Sequence, residues 1–231
     1  IDQLPKAHPY RKVGKAKWHQ LAGEAKRFLI SLGLRVNGNL QHNHYCVGPM
    51  GNLMPTWLTT DGFLRLQRGE NLKGLVIGIV DIKHFLDFPV EFLAKSLTDL
   101  GAQVQVAQIT LDAPKVNENE QHEIRATTIA RANAGEHMIA ENAYKIAQAF
   151  TDCDWLVVPD VLGFENDDAF NVLQQQLQPS VRRVPTPPPS VSGSRLDSVL
   201  RKQFLTIGGT LMPQTEAISA LFDTDGPVTS I

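Results

Sequence analysis

The chain has 231 residues, 42% of them hydrophobic and 20% charged, with a formal net charge of −2. This composition is ordinary for a globular protein of one large or two small domains. The nearly balanced charge gives no electrostatic argument for binding nucleic acid or an anionic membrane. No apolar run approaches the roughly 20 residues that a membrane-spanning helix needs. Cys46 and Cys153 lack any zinc or C-x-x-C spacing, which predicts two reduced thiols in a cytoplasmic protein.

Residues 1–70 predict a helix followed by a β-rich segment. Apolar residues recur at helical spacing from Trp18 to Leu32, and Gly33 predicts the end of that helix. From residue 34 to about residue 66 the pattern favours strands, interrupted by a turn-forming sequence at 48–51.

In residues 71–209 strands alternate with helices. The predicted strands are 75–80, 104–111, 155–158 and 181–184, and the predicted helix faces are 90–100, 139–150, 170–177 and 196–207. Nearly continuous apolar strands are typical of a sheet buried on both faces. The alternation predicts βαβ units, and so an α/β fold with a largely parallel sheet flanked by helices.

Residues 210–231 predict a β-hairpin around an Asp225-Gly226 turn, with a second strand that stops abruptly. An isolated hairpin is only marginally stable. We therefore expect the chain to be a fragment whose missing flanks carried another domain or partner strands.

A parallel sheet binds its ligands outside the carboxyl ends of its strands. Segments 81–88, 112–125, 160–168 and 186–195 should therefore surround one crevice. His84 lies in the first segment and could act as a general acid or base, the alternative being an ordinary surface-loop histidine.

The stretch 184–196 predicts an anion site. A proline-rich loop leads into small hydroxyl residues and a glycine, with Arg195 in the first turn of the predicted helix. The free N–H groups and dipole of a helix N-terminus favour a phosphate or carboxylate. We name Arg195, Ser190 and Ser194 as a candidate phosphate or substrate clamp. Ser194 and Asp197 also fit a capping box, so the alternative is simply a well-capped helix.

Arg125 is an auxiliary candidate for phosphate binding, and Arg131 belongs to the same polar helix entry. Guanidinium groups bind phosphate through two parallel hydrogen bonds. The alternative for both is an ordinary helix ion pair, for example with Glu123.

His42 and His44 form an H-x-H pair that on a strand would point both rings the same way, with Cys46 continuing the alternation. Because no carboxylate or cysteine spacing completes a ligand set, we predict no metal site.

The predicted strand-to-helix turns lack G-x-G-x-x-G, and the chain also lacks a P-loop, G-x-S-x-G and H-E-x-x-H. Without such glycines a backbone cannot approach a pyrophosphate closely. We therefore predict no cofactor-binding residues in this chain, and interpret it as a substrate or accessory domain. The catalytic base remains unassigned.

Five motifs in order carry a resemblance that spans nearly the whole chain: AHPY at 7–10, GNLMPTWL at 51–58, RATTIAR at 125–131, PTPPPSVSGSRL at 185–196, and RKQF at 201–204 with GGTLMP at 208–213. Together they resemble the B subunit of bacterial anaerobic glycerol-3-phosphate dehydrogenase.

The resemblance implies a flavoprotein, with FAD or FMN, that oxidises sn-glycerol 3-phosphate to dihydroxyacetone phosphate during anaerobic respiration. The family's G-x-G-x-x-G segment lies near its N-terminus, and its Rossmann half resumes after the stretch present here. The chain thus resembles the region inserted between the two flavin-domain halves. It implies a helix plus β-rich segment at 1–70, an inserted α/β domain at 71–209, and a hairpin at 210–231 leading back to the flavin domain.

The resemblance also implies partners: a catalytic sister subunit and a membrane-anchor subunit that passes electrons to the quinone pool. Such partners would place the protein in the cytoplasm, at the periphery of the inner membrane. We expect it to have no membrane span of its own and no nucleic-acid partner. The isolated chain is expected to be inactive and without flavin. Two alternatives stay open: a stand-alone α/β module that binds a small anion, and a non-catalytic domain for subunit assembly.

Overall fold

The computed structural model describes residues 1–111, 125–132, 136–161, 168–219, 221–222 and 228–230. Two helices come first, α1 (Pro9–Val13) and α2 (Lys15–Ser31). His8 caps α1, its ring nitrogen accepting the Tyr10 N–H at 3.2 Å. Gly14 separates the helices at φ 82°, a conformation that glycine adopts without strain. The predicted first helix is confirmed, although none of its residues is fully buried.

The β-rich segment forms two small antiparallel sheets. Its strands are β1 (Val36–Gly38), β2 (His44–Val47), β3 (Leu53–Thr56), β4 (Leu58–Thr60) and β5 (Arg65–Leu66). β1 pairs with β4, whereas β2 lies between β3 and β5. The β-rich pattern from residue 34 to about residue 66 predicted strands here, and the structure confirms them.

The centre of the molecule is a four-stranded parallel sheet with the order β7-β6-β8-β9. Its strands are β6 (Val76–Ile82), β7 (Gln103–Ile109), β8 (Trp155–Pro159) and β9 (Ser180–Val184), and the helices are α3 (Val90–Asp99), α4 (Ala126–Ala132), α5 (Glu136–Ala149), α6 (Asp168–Gln176) and α7 (Val191–Thr206). The predicted α/β fold with a parallel sheet flanked by helices is confirmed.

The sheet is buried because β6 and β8 are apolar along most of their length. Gly78 in β6 allows the Phe150 ring to lie directly on the strand, since a Cβ atom at this position would fall 2.6 Å from that ring. The core includes Leu93 and Leu97 of α3, both fully buried. The helix packs on the sheet through this apolar stripe.

Residues 62–64 connect the β-rich segment to the outer edge of β9. The Arg183 N–H donates to the Gly62 carbonyl at 2.7 Å, and the Leu64 N–H donates to the Arg183 carbonyl at 2.8 Å. These bonds satisfy the backbone of β9 at a position where it would otherwise be an open edge.

The C-terminal hairpin is also present, as β10 (Leu221–Phe222) paired antiparallel with β11 (Val228–Ser230). Its predicted Asp225-Gly226 turn lies outside the described residues. None of the helices in the described ranges combines the length and apolarity needed to cross a bilayer.

Candidate functional site

The strand order places a topological switch point at the carboxyl ends of β6 and β8. The chain leaves β6 for β7 on one side, and then returns to β8 on the other side of β6. Ligands of open parallel sheets bind at such a point. Two of the four segments predicted to surround it are only partly described, because residues 112–124 and 162–167 lie outside the described ranges.

The floor of this switch point is apolar. A cavity of about 10 Å³ lies there, lined by Val80, Ile82, Ile109, Leu111, Ile146, Val158, Pro159 and Val161. Its lining side chains are all apolar, so they give a water molecule no hydrogen-bond partner. Polar chemistry at this edge therefore comes from the loops and from the β8–β9 side.

A buried ionic cluster lies at the carboxyl end of β8. Asp160 Oδ1 accepts a hydrogen bond from Arg195 Nη2 at 2.6 Å and lies 3.4 Å from Arg183 Nη1. The three side chains are 1%, 7% and 2% exposed, respectively. Buried charges persist only when they are paired. Asp160 was predicted only as part of a crevice segment, and Arg183 was not predicted at all.

Aromatic rings enclose the Arg183 guanidinium. Its Cζ atom lies 4.4 Å from the Phe170 ring centroid and 5.0 Å from that of Phe63. It also donates to the Asp61 carbonyl. The flat guanidinium suits such cation–π contacts. The sequence signal was the adjacent pair Arg182 and Arg183 in a five-residue strand. Because successive side chains of a strand point to opposite faces, one of the two arginines faces the core, but the pattern does not name its partner.

Two buried polar atoms beside this cluster have no hydrogen-bond partner among the described residues. They are Asp160 Oδ2 and Thr186 Oγ1, on side chains that follow β8 and β9. The two strands are parallel neighbours, and the Asp160 N–H donates to the Val184 carbonyl at 2.9 Å. At the carboxyl edge of the sheet, Asp160 Oδ2 can therefore accept a hydrogen bond and the Thr186 hydroxyl can donate or accept one, with a partner that is not among the described residues.

The predicted capping box at the start of α7 is wrong. The helix starts at Val191, and Ser190 is its N-cap, accepting the Gly193 N–H at 3.1 Å. Ser194 lies inside the helix and donates to the Ser190 carbonyl, while Asp197 pairs with Arg201 at 2.6 Å. The apolar pattern predicted a helix from residue 196, but the proline-rich loop ends at Ser190 and the helix starts at Val191. Arg195 therefore lies in the second turn of α7 and not in the first.

The structure separates the three residues of the predicted clamp. Ser190 and Ser194 line an open depression of about 410 Å³, together with Pro189, Gly193, Asp197 and Ser198. Arg195 instead extends into the protein, where Asp160 holds it. The depression and the guanidinium are therefore on different sides of α7.

Arg125 lies at the start of α4 and binds Asp87, with 3.0 Å between Nη1 and Oδ1. The other Asp87 oxygen accepts the Ala126 N–H at 3.2 Å, so this carboxylate caps α4. The Arg125 side chain is 63% exposed. The predicted crevice segments 81–88 and 112–125 thus meet through the Asp87 carboxylate. The sequence analysis did not single out this residue. Arg131 is exposed in the last turn of α4.

His84 is exposed in the turn after β6, where the Phe85 N–H donates to the Ile82 carbonyl at 3.0 Å. Its φ of 67° lies in the left-handed region that favours glycine. The backbone at this position is strained, which is a feature often found near functional sites.

The H-x-H pair does not lie on one strand, because β2 starts at His44 and His42 precedes it. The buried His44 ring contacts Thr59 Oγ1, and burial, assisted by the charge of Arg65, lowers the pKa of His44. Burial also raises the pKa of Cys46 to about 11. Within the described ranges, no three His, Cys, Asp or Glu side chains are grouped to hold a metal ion.

Comparison with known proteins gives one family match. The model of the family described as "FAD binding domain" matches residues 1–218. No solved structure matches the chain significantly.

Similar curated proteins are named as the B subunit of anaerobic glycerol-3-phosphate dehydrogenase. The chain is 28% identical to the one from Yersinia enterocolitica over 221 residues, which is 95% of this chain and 52% of the relative. It is 28% identical to that of Pasteurella multocida over 225 residues, and 29% identical to that of Actinobacillus succinogenes over 226 residues. The resemblance inferred from the motifs is confirmed. The chain spans about half the length of these relatives.

Proposed function

Because the chain belongs to the FAD binding domain family, we propose that it is the substrate-side region of a flavin-dependent glycerol-3-phosphate dehydrogenase subunit. The reaction proposed is oxidation of sn-glycerol 3-phosphate to dihydroxyacetone phosphate. The observation that supports this most is the match of 95% of the chain to proteins named as a subunit of that enzyme.

Two described strand-to-helix connections lack the features of a cradle for a flavin pyrophosphate, which supports a flavin site outside them. The turn after β6 contains no glycine, and at the start of α7 the Gly193 N–H is already bound by Ser190. A dinucleotide cradle needs free N–H groups and close backbone approach. In this proposal FAD or FMN is therefore held by the remainder of the full-length subunit.

The proposed division of the chain follows from this. Residues 71–209 form the region inserted between the two halves of the flavin domain. Residues 1–70 lie beside it, and residues 210–231 lead back to the flavin domain. The bonds from residues 62–64 to β9 support a fixed junction between the first two parts.

For the substrate and its phosphate we propose Arg125, Ser190, Ser194 and Arg195 as candidates, and because the serines and Arg195 lie on different sides of α7, they are alternative contact points and not one clamp. The exposed Arg125 guanidinium is oriented by Asp87 and accessible to a phosphate from solvent. Ser190 and Ser194 present hydroxyl groups in the depression at the start of α7. Arg195 requires substrate to approach from the buried carboxyl edge, where Asp160 fixes it.

We further propose a catalytic sister subunit and a membrane-anchor subunit as partners, with electrons passing to the quinone pool. The protein would then work in the cytoplasm, at the inner membrane. The support is that the relatives are named as one subunit of a larger enzyme.

The experiment is a chimera in which residues 1–231 replace the matched region of the Yersinia enterocolitica relative. We expect bound-flavin absorbance that sn-glycerol 3-phosphate bleaches, and no flavin or activity in the 231-residue chain. Arg125→Gln should raise the substrate concentration needed for half-bleaching, whereas the exposed Arg68→Gln should leave it unchanged. A chimera without bound flavin contradicts the proposal.

A stand-alone anion-binding module is the second candidate, and the hydroxyl-lined depression beside α7 favours it. Titration calorimetry of the 231-residue chain with sn-glycerol 3-phosphate and with inorganic phosphate separates the two functions. Heat from the isolated chain that weakens in Ser194→Ala, which removes a hydroxyl of the depression, supports the module. No heat at millimolar ligand excludes it.

A further inference from the structure

Helix α7 exposes a continuous apolar stripe. Leu196, Leu200, Phe204 and Ile207 follow one another at helical spacing and are 38%, 37%, 42% and 70% exposed. Of the helix residues, only Val191 and Arg195 are buried, and both belong to its first two turns. We call these four residues the α7 stripe. The stripe begins after Arg195, the last buried residue of the helix, and ends at the C-cap residue Ile207.

This exposure is unusual for a helix of 16 residues. Most helices gain their stability by burying an apolar face, as α3 does with Val90, Leu93 and Leu97. The polar side of α7 needs no partner, since Asp197 and Arg201 pair with each other. The helix therefore has a satisfied polar side and an uncovered apolar side.

Helix α2 shows the same imbalance. Leu21, Phe28 and Ile30 are 39%, 49% and 52% exposed, and none of its residues is buried. Other described elements also expose apolar side chains, for example Phe92 of α3 and Tyr144 of α5, but α3 and α5 contribute buried residues to the shared core as well, whereas α2 contributes none.

We propose that the α7 stripe docks onto the flavin-binding remainder of the full-length subunit, an inference that rests on the proposed function. The relatives are about twice as long as the matched region, which is 52% of their length. A segment of the same polypeptide reaches the stripe at a high effective concentration, whereas a second copy must come from dilute solution. The occupant is therefore an apolar surface of that remainder.

The first experiment tests whether a second copy covers the stripe. The 231-residue chain is compared with Leu200→Glu/Phe204→Glu and with Phe92→Glu, which changes a phenylalanine of α3 that is 56% exposed. We expect monomers by sedimentation, and weaker binding of an apolar fluorescent dye in the stripe variant only. A dimer that the stripe variant dissociates would overturn the proposal.

The second experiment measures hydrogen exchange in the chimera described above. Amides of residues 196–207 should exchange about tenfold more slowly in the chimera than in the 231-residue chain, because docking suppresses local opening. Leu200→Glu/Phe204→Glu should abolish this protection, and Phe92→Glu should not. Equal exchange in both chains sinks the docking proposal. Protection in a chimera that binds no flavin supports docking and contradicts the proposed function.

Discussion

Asp160 joins α7 to the end of the parallel sheet through a 2.6 Å hydrogen bond to Arg195. The same carboxylate oxygen also faces Arg183 of β9, so one side chain links two strands and a helix. All three groups are buried, and each is costly to leave without its partner.

Asp160→Asn should therefore lower the free energy of unfolding by about 3–5 kcal/mol, because it leaves buried guanidinium charge without its carboxylate. Urea denaturation measures this loss. Asp197→Asn breaks an Arg–carboxylate pair whose side chains are both 59% exposed and should cost no more than about 0.5 kcal/mol. A similar loss of unfolding free energy in the two variants would show that the buried Asp160 cluster stabilises the fold no more than an exposed ion pair does.

Ser190→Ala should destabilise the protein by about 1 kcal/mol, since it removes the acceptor for the Gly193 N–H at the start of α7. Ser194→Ala is the matched control, because its hydroxyl donates to a carbonyl within the same helix. It should cost clearly less. Thermal unfolding of both variants distinguishes the two roles, and an equal cost would restore Ser194 as a cap.

Lowering the pH should weaken the fold through His44. In the unfolded chain this imidazole takes up a proton near pH 6.5, whereas burial keeps it neutral to lower pH in the folded state. The unfolded state then binds more protons below pH 6.5, and stability falls by up to about 1.4 kcal/mol per pH unit. His44→Gln should flatten this dependence in urea denaturation. His42→Gln, at an exposed histidine, should leave the pH dependence of stability as in the unmodified chain. A pH dependence that is flattened by His42→Gln and not by His44→Gln would refute the role of His44.

The two thiols should react at different rates. Burial raises the pKa of Cys46 to about 11, and this side chain is 5% exposed. Cys153 is only half-buried, although burial and the neighbouring Asp152 and Asp154 also raise its pKa. Alkylation requires an accessible thiolate. Mass spectrometry after limited iodoacetamide treatment should find Cys153 modified first, and faster labelling of Cys46 would contradict the burial described here.

Much of the fold could be predicted because periodicity is a local property. The apolar runs of β6 and β8 predicted a buried parallel sheet, and Gly33, at φ 81°, was correctly placed after α2. Glycine ends a helix by adopting a conformation that other residues disfavour. The start of α7 was harder, because two serines four residues apart both resemble caps, and only the backbone path selects Ser190.

The candidate site was predicted only in part. The sequence placed Arg195 near a ligand edge, but its burial against Asp160 joins residues 35 positions apart. Asp87, which both binds Arg125 and caps α4, is 38 positions from its partner. Neither pairing follows from spacing, since each depends on how the strands are ordered in the sheet.

The sequence by itself determined most of the strands and longer helices, the α/β class and the family resemblance, because these depend on residue patterns read along the chain. Only the tertiary structure decided which charges meet, which serine caps α7 and which apolar faces stay uncovered. Those outcomes depend on distances between residues remote in sequence, which are set when helices and strands pack around a common core.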